Sequence, residues 1–213
     1  HSVNTSEWIR TLVRDYYTVD GKPLGERNPK MLQDDYVKFI RFGQWRISQT
    51  GEGVLAFISN NGYLDNPTFR GMRQRLLQEF DTIYVLNLHG NSRKKERAPD
   101  GSPDVNVFDI QQGVTIGLFV KHRQSTEQQA TVYYADLYGG REGKYAALMA
   151  QDIGNTQWQQ LHPTSPRYLF VAQNTHTRAE YEQGVPIDQF ILVHSNGVKT
   201  HRDSFVIGFT KNE

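Results

Sequence analysis

With 213 residues the chain is long enough for one large domain or two small ones, and 37% hydrophobic and 12% aromatic content is enough for a packed core and too much for a disordered chain. The 24 Lys and Arg nearly cancel the 23 Asp and Glu, so net charge selects no partner and any nucleic-acid surface must come from local clustering. The absence of cysteine excludes disulfides, thiolate nucleophiles and Cys-ligated zinc, and fits a cytoplasmic protein.

The chain opens on His1-Ser2, which reads as a tag remnant or the cut end of a longer protein. Glu7 and Arg10 interrupt the start, so no signal peptide is read there. No apolar run reaches the ~18–20 residues of a membrane span. Residues 4–30 hold Trp8, Tyr16 and Tyr17, then the turn-rich DGKPLGERNP, which reads as loop. Leu32, Tyr36, Phe39, Ile40 and Ile47 fall at helical spacings and predict an amphipathic helix over 32–49, broken by Gly51 and Gly53. GVLAFIS (53–59) is continuously apolar, which suits a strand buried on both faces of a parallel sheet. Asn66-Pro67 starts the next helix, with Asn as N-cap, and Phe69, Met72, Leu76, Leu77 and Phe80 mark its inner face. TIYVLNL (82–88) is a second strand, and strand, helix, strand at this length implies a right-handed crossover in a parallel sheet.

Residues 89–106 form a polar loop carrying Arg93, Lys94, Lys95 and Arg97, long enough to be functional or disordered. Strands follow at 113–121 and 131–137, close enough for a hairpin, then a short helix at 143–151. Weaker patterns suggest strands at 167–172, 189–193 and 204–209.

YGGREGKY (138–145) imitates a phosphate loop, but Tyr138 stands where a Gly is needed and Tyr145 where a Ser or Thr is needed. A Gly-rich turn before a helix accounts for it. Asp104, Glu142 and Lys144 imitate the carboxylate and lysine set of a Mg²⁺-dependent nuclease. That chemistry needs carboxylates converging on a metal at neighbouring strand ends, whereas Glu142 and Lys144 lie in a Gly-rich turn. The histidines are scattered, and His194 and His201, seven apart, make no zinc pair. The basic loop fits a solvated segment or contact with DNA phosphates. Phe108 fits a core aromatic or a stacking surface for an extruded base.

Four segments carry a resemblance: GVLAFISNNGYLDNPTFRGMRQRLL (53–77), FDTIYVLNLHGN (80–91), DVNVFDIQQGVTIGLFVK (104–121) and SNGVKTHRDSFVI (195–207). In this order, with the helix at 32–49, the chain resembles the amino-methyltransferases that methylate adenine N6 in DNA. The fused bacterial restriction–modification enzymes of the type ISP and type IIG kinds are the most similar. The resemblance implies an α/β fold, the distal half of a Rossmann-like S-adenosylmethionine-dependent sheet. In it 53–59 is the fifth strand, 82–88 the sixth and 113–121 a reversed seventh. The family holds S-adenosylmethionine at a Gly-rich turn after its first strand. It holds the flipped adenine with Asn/Asp-Pro-Pro-Tyr/Phe after its fourth. The sequence contains neither; Asn28-Pro29 runs into Lys30-Met31.

The resemblance therefore implies a partial methyltransferase domain over 1–154 and a mixed α/β extension over 155–213 leading towards target recognition. It implies no catalytic residue or metal in this segment and no activity of the segment alone. Phe108 falls at the place of the family's base-stacking aromatic. Arg93, Lys94, Lys95 and Arg97 would approach the DNA backbone, and Thr200, His201 and Arg202 would join them unless they form only a strand-edge turn. The expected partners are double-stranded DNA, the missing N-terminal half and a second copy meeting the bare edge of strand 53–59. The cofactor of the intact protein is S-adenosylmethionine, and its setting the bacterial cytoplasm. A non-catalytic DNA-binding or scaffold domain is the rival reading, and the nuclease a third.

Overall fold

The structure is a computed structural model that describes residues 6–123, 129–173, 180, 181, 183–185 and 187–191. Helix α1 (Glu7–Val13) and a small hairpin, β1 (Thr18–Val19) with β2 (Lys22–Pro23), occupy the stretch whose turn-forming residues read as loop. Helix α2 (Asp35–Thr50) buries Val37, Ile40 and Ile47 and stops at Gly51, whose φ of 78° is left-handed. Glycine takes that conformation without a Cβ clash, which is why the helix ends there. The next helix begins as a 3₁₀ turn, Pro67–Phe69, in which the Asn66 side chain accepts the Thr68 N–H at 2.9 Å. It continues as α3 (Arg70–Glu79), burying Met72, Leu76 and Leu77.

Among the described residues five strands form one sheet: β3 (Gly53–Asn60), β4 (Thr82–His89), β5 (Val114–Lys121), β6 (Thr131–Asp136) and β7 (Gln159–Leu161). Their spatial order is β3-β5-β4-β6-β7. Only β4 and β6 pair in parallel; the other three pairings are antiparallel. The architecture is thus mixed α/β around a mostly antiparallel sheet. Because β5 runs against both β3 and β4, the strands β3, β4 and β6 point the same way and end on one edge. On one face Leu76, Ile83, Val85, Phe119 and Val132 form the main core. On the other, Leu88, Val107 and Val114 form a smaller cluster with Leu86, Ile116 and Leu148. Arg73 is fully buried and donates to the carbonyls of Tyr63 (2.8 Å), Asn66 (2.9 Å), Arg167 (2.6 Å) and Tyr168 (2.9 Å). Burial pulls its pKa down to about 9 against the opposing charge of Asp65.

Several expectations need correction. Strand β3 is not buried on both faces: Val54 and Ile58 are 65% and 52% exposed, alternating with Leu55 and Phe57, which pack on the core. It pairs only with β5 among the described residues and stands at the sheet edge. Its apolar composition suits two covered faces, but the described helices cover one. Strands β5 and β6 form no hairpin, because β4 lies between them. Two strand spacings are about 10 Å, which the connector spans as easily as one. Residues 167–172 form turns held by Arg73 rather than a strand. Residues 189 and 190 belong to a one-turn helix, Ile187–Phe190, while 192, 193 and 204–209 lie outside the described residues. The chain divides into two compact units, residues 1–172 and 173–213. Among the described residues no helix is long and apolar enough to cross a membrane.

Candidate nucleic-acid interface

The edge where β3, β4 and β6 end is where open α/β sheets carry ligands, and the long segment after β4 folds back over it. Gly90 turns the chain there with φ 81°; a Cβ at this position would meet the Asn106 Cα at 2.4 Å. Only glycine allows that approach. The buried Asn106 side chain then organises the loop: its amide donates to Gly90 O (3.0 Å) and Gln112 O (2.7 Å), and its oxygen accepts the Phe108 N–H (2.9 Å). Helix α4 (Arg141–Ala150) supports the same loop. Arg141 donates to Asn106 O (2.9 Å) and Phe108 O (3.0 Å), Lys144 to Val105 O (2.8 Å) and Leu88 O (2.6 Å), and Tyr145 to Val107 O (2.5 Å). Phe108 is thereby held with 45% of the residue exposed, which excludes a core role. It overlooks a cleft of about 310 Å³ lined also by Gly90, Ser92, Gln111 and Arg141.

Beside the cleft, His89 is buried at the end of β4, with φ 54°. Its Nδ1 meets Glu96 at 2.8 Å and its Nε2 meets Asp136 at 2.7 Å, while the ring stacks on Tyr138 at 3.8 Å between centroids. Tyr134 donates to Asp136 and accepts from Asn87 at 3.1 Å. Burial opposes a charge on the imidazole, but the hydrogen bonds and charges of Asp136 and Glu96 outweigh it and raise the His89 pKa. Burial likewise opposes the Glu96 charge, and His89 with the Asn91 N–H holds its carboxyl below the usual range. Glu96 accepts the Asn91 N–H at 2.9 Å, and the Asn91 side chain caps Lys94 N at 3.1 Å. The carboxylate thus closes the basic loop on itself.

Arg93, Lys94, Lys95 and Arg97 are exposed on that loop and carry no salt bridge among the described residues. Arg93 donates to Gln111 Oε1 at 2.9 Å, joining the basic loop to the Phe108 loop, and Arg97 donates to Gly101 O at 3.1 Å. Thr200, His201 and Arg202 lie outside the described residues. The nuclease imitation resolves differently. Asp104 and Lys144 do meet, at 2.8 Å and fully buried, and Asp104 also accepts the Gly90 and Gly139 N–H groups at 2.6 and 2.8 Å. This pair braces the loop from inside, Glu142 is exposed, and among the described residues no three acidic or histidine side chains gather to hold a metal. Gly140 is the N-cap of α4, so in YGGREGKY only Tyr138, Gly139 and Gly140 precede the helix, and Glu142 and Lys144, expected in a Gly-rich turn, stand inside it. Its Arg141, Lys144 and Tyr145 stand at i, i+3 and i+4 and share one helix face, a spacing that could have marked them as one group. Nothing in the spacing marks His89, whose partners sit 7 and 47 residues away.

No protein-family model and no curated protein matches the sequence. Solved structures do. The ATP-dependent Type ISP restriction-modification enzyme LlaBIII, bound to DNA, is similar at 29% identity over 84% of this chain, with a TM-score of 0.68. A nuclease-deletion mutant of the Type ISP enzyme LlaGI, in complex with a DNA substrate mimic, matches 83% of the chain at 24% identity and a TM-score of 0.65. The DrdV–DNA complex, from cryo-electron microscopy, matches 80% at 22% identity and a TM-score of 0.66. The last two show a shared fold; the first adds similarity of sequence and relates the chain to restriction–modification enzymes. The chain spans 12%, 17% and 16% of these three proteins respectively.

Proposed function

We propose that this chain is the distal half of an adenine-N6 DNA methyltransferase domain in a restriction–modification enzyme, forming one wall of the flipped-base pocket and part of the DNA-facing surface. The observation that carries the reading is the exposed Phe108, braced over a cleft at the strand ends and flanked by an exposed basic loop that carries no salt bridge among the described residues. Support comes from the likeness to an enzyme solved on DNA and from strand β5, which runs against its neighbours β3 and β4, a reversed strand being what the family resemblance implies. Arg93, Lys94, Lys95 and Arg97 attract duplex phosphates and set the approach of the backbone. Phe108 offers an aromatic face to an extruded base, whose stacking compensates for the lost stacking in the duplex.

S-adenosylmethionine supplies the methyl group in this family. The cleft beside Phe108 is lined by loop residues and Arg141, a lining that does not resemble the Gly-rich turn by which the family holds this cofactor, and on the proposed reading that turn lies in the other half of the domain. Calorimetric titration of the chain with S-adenosylmethionine checks the division. The expected result is no heat of binding. Micromolar binding would mean that a cofactor pocket lies within these 213 residues, and would overturn the assignment to a distal half.

A further inference from the structure

Resting on the Phe108 reading, we infer that the first turn of α4, through Arg141 and Tyr145 together with the buried Asn106, is the template that sets the position of the stacking ring. An exposed aromatic on a loop is a poor stacking partner unless its backbone is fixed, because each free torsion must be immobilised when the base arrives. Here four successive carbonyls, those of Val105, Asn106, Val107 and Phe108, are all taken by side chains of one helical turn: Lys144, Arg141, Tyr145 and Arg141 again. Arg141 also meets the Asp109 carboxylate at 2.7 Å, so its guanidinium holds the chain on both sides of Phe108. A planar fork with several donors bridges such carbonyls where a single ammonium cannot. Asn106 fixes the other end by drawing Gly90 and Gln112 together and receiving the Phe108 N–H. The ring is thus held through backbone groups and its face is left open to solvent. Arg141 and Tyr145 act through Phe108 and are positioning residues.

The test uses two DNA duplexes of the same sequence at low salt. One carries 2-aminopurine opposite an abasic site, where it leaves the stack readily; the other carries it fully paired. The ratio of the two affinities and the quenching of the base at saturation report stacking, and both are unmoved by a uniform loss of charge or of folded protein. The wild type is expected to favour the unpaired base, and Phe108→Ala to lose that preference by about tenfold. Arg141→Gln and Tyr145→Phe are expected to lose most of it, with Arg141→Lys intermediate and all three retaining the wild-type circular dichroism. Tyr145→Phe removes one hydroxyl from a 41%-exposed side chain, so it keeps the test independent of folding. Wild-type ratios in both Arg141→Gln and Tyr145→Phe, with the preference lost in Phe108→Ala, would overturn the positioning role and leave the base wall standing. A wild type with no preference, or a Phe108→Ala variant equal to it, would overturn the base wall and the positioning role together.

Discussion

At residue 89 a buried imidazole meets a carboxylate at each ring nitrogen, which a neutral ring, with one donor, cannot satisfy on both sides. The sign of the resulting pH dependence follows from the two shifts. The His89 pKa is raised from its ordinary 6.5, so its contribution is full below that value and lost as pH rises through the higher folded value. The Glu96 pKa is lowered from 4.5, so its contribution is full above that value and lost as pH falls through the lower folded one. The clip is therefore strongest between about pH 4.5 and 6.5. Urea unfolding across pH should find His89→Gln less stable by about 2 kcal/mol in that window, with the gap shrinking as pH rises above it. A gap independent of pH, or widening above neutrality, would contradict a charged His89. None of this was legible in the sequence, because Glu96 and Asp136 reach His89 only through the fold. Phe108, at the start of FDIQQGVTIGLF, was singled out only through the family resemblance; periodicity left it a core or a surface aromatic, and the fold leaves it exposed. Asp104 and Lys144 were picked out for their chemical types, and burial turned a metal-like set into an internal brace.

The elements most clearly written in the sequence are those with caps and one apolar face. Helix α2 ends at Gly51 and α3 follows Asn66-Pro67, as spacing and capping require. Strand order was not written, since β5 and β6 satisfy the same local pattern whether paired with each other or on either side of β4. Strand β3 shows what a continuous apolar run leaves open: the composition calls for two covers and the described residues provide one. An exposed edge with Val54 and Ile58 beside it is a template for pairing with another chain. Light scattering should find self-association rising with concentration, and Ile58→Lys should reduce it while changing stability by less than about 0.5 kcal/mol. A wild type that stays monomeric at high concentration would remove the edge as a self-association surface.

For the whole molecule, composition bounds little, because 24 basic and 23 acidic residues leave a net charge of +1. Any attraction for DNA must come from where the charges stand. The fold gathers Arg93, Lys94 and Lys95 on one loop, ties that loop to the Phe108 segment through Gln111, and faces both to the cleft edge. The chain spans 12% of LlaBIII, and on the proposed reading its surface would be one part of a larger DNA contact. Binding by the isolated chain is therefore expected to be weak and driven by counterion release. Fluorescence anisotropy of a labelled duplex, titrated with the chain over a range of salt, measures this directly. The account predicts a linear fall of log affinity with log salt. With Arg93→Ala, Lys94→Ala and Lys95→Ala combined, the slope should become shallower by about 0.9 for each cation that had met a phosphate. No binding even at low salt, or tight binding whose salt dependence the triple variant leaves unchanged, would contradict the placement of the DNA on this loop.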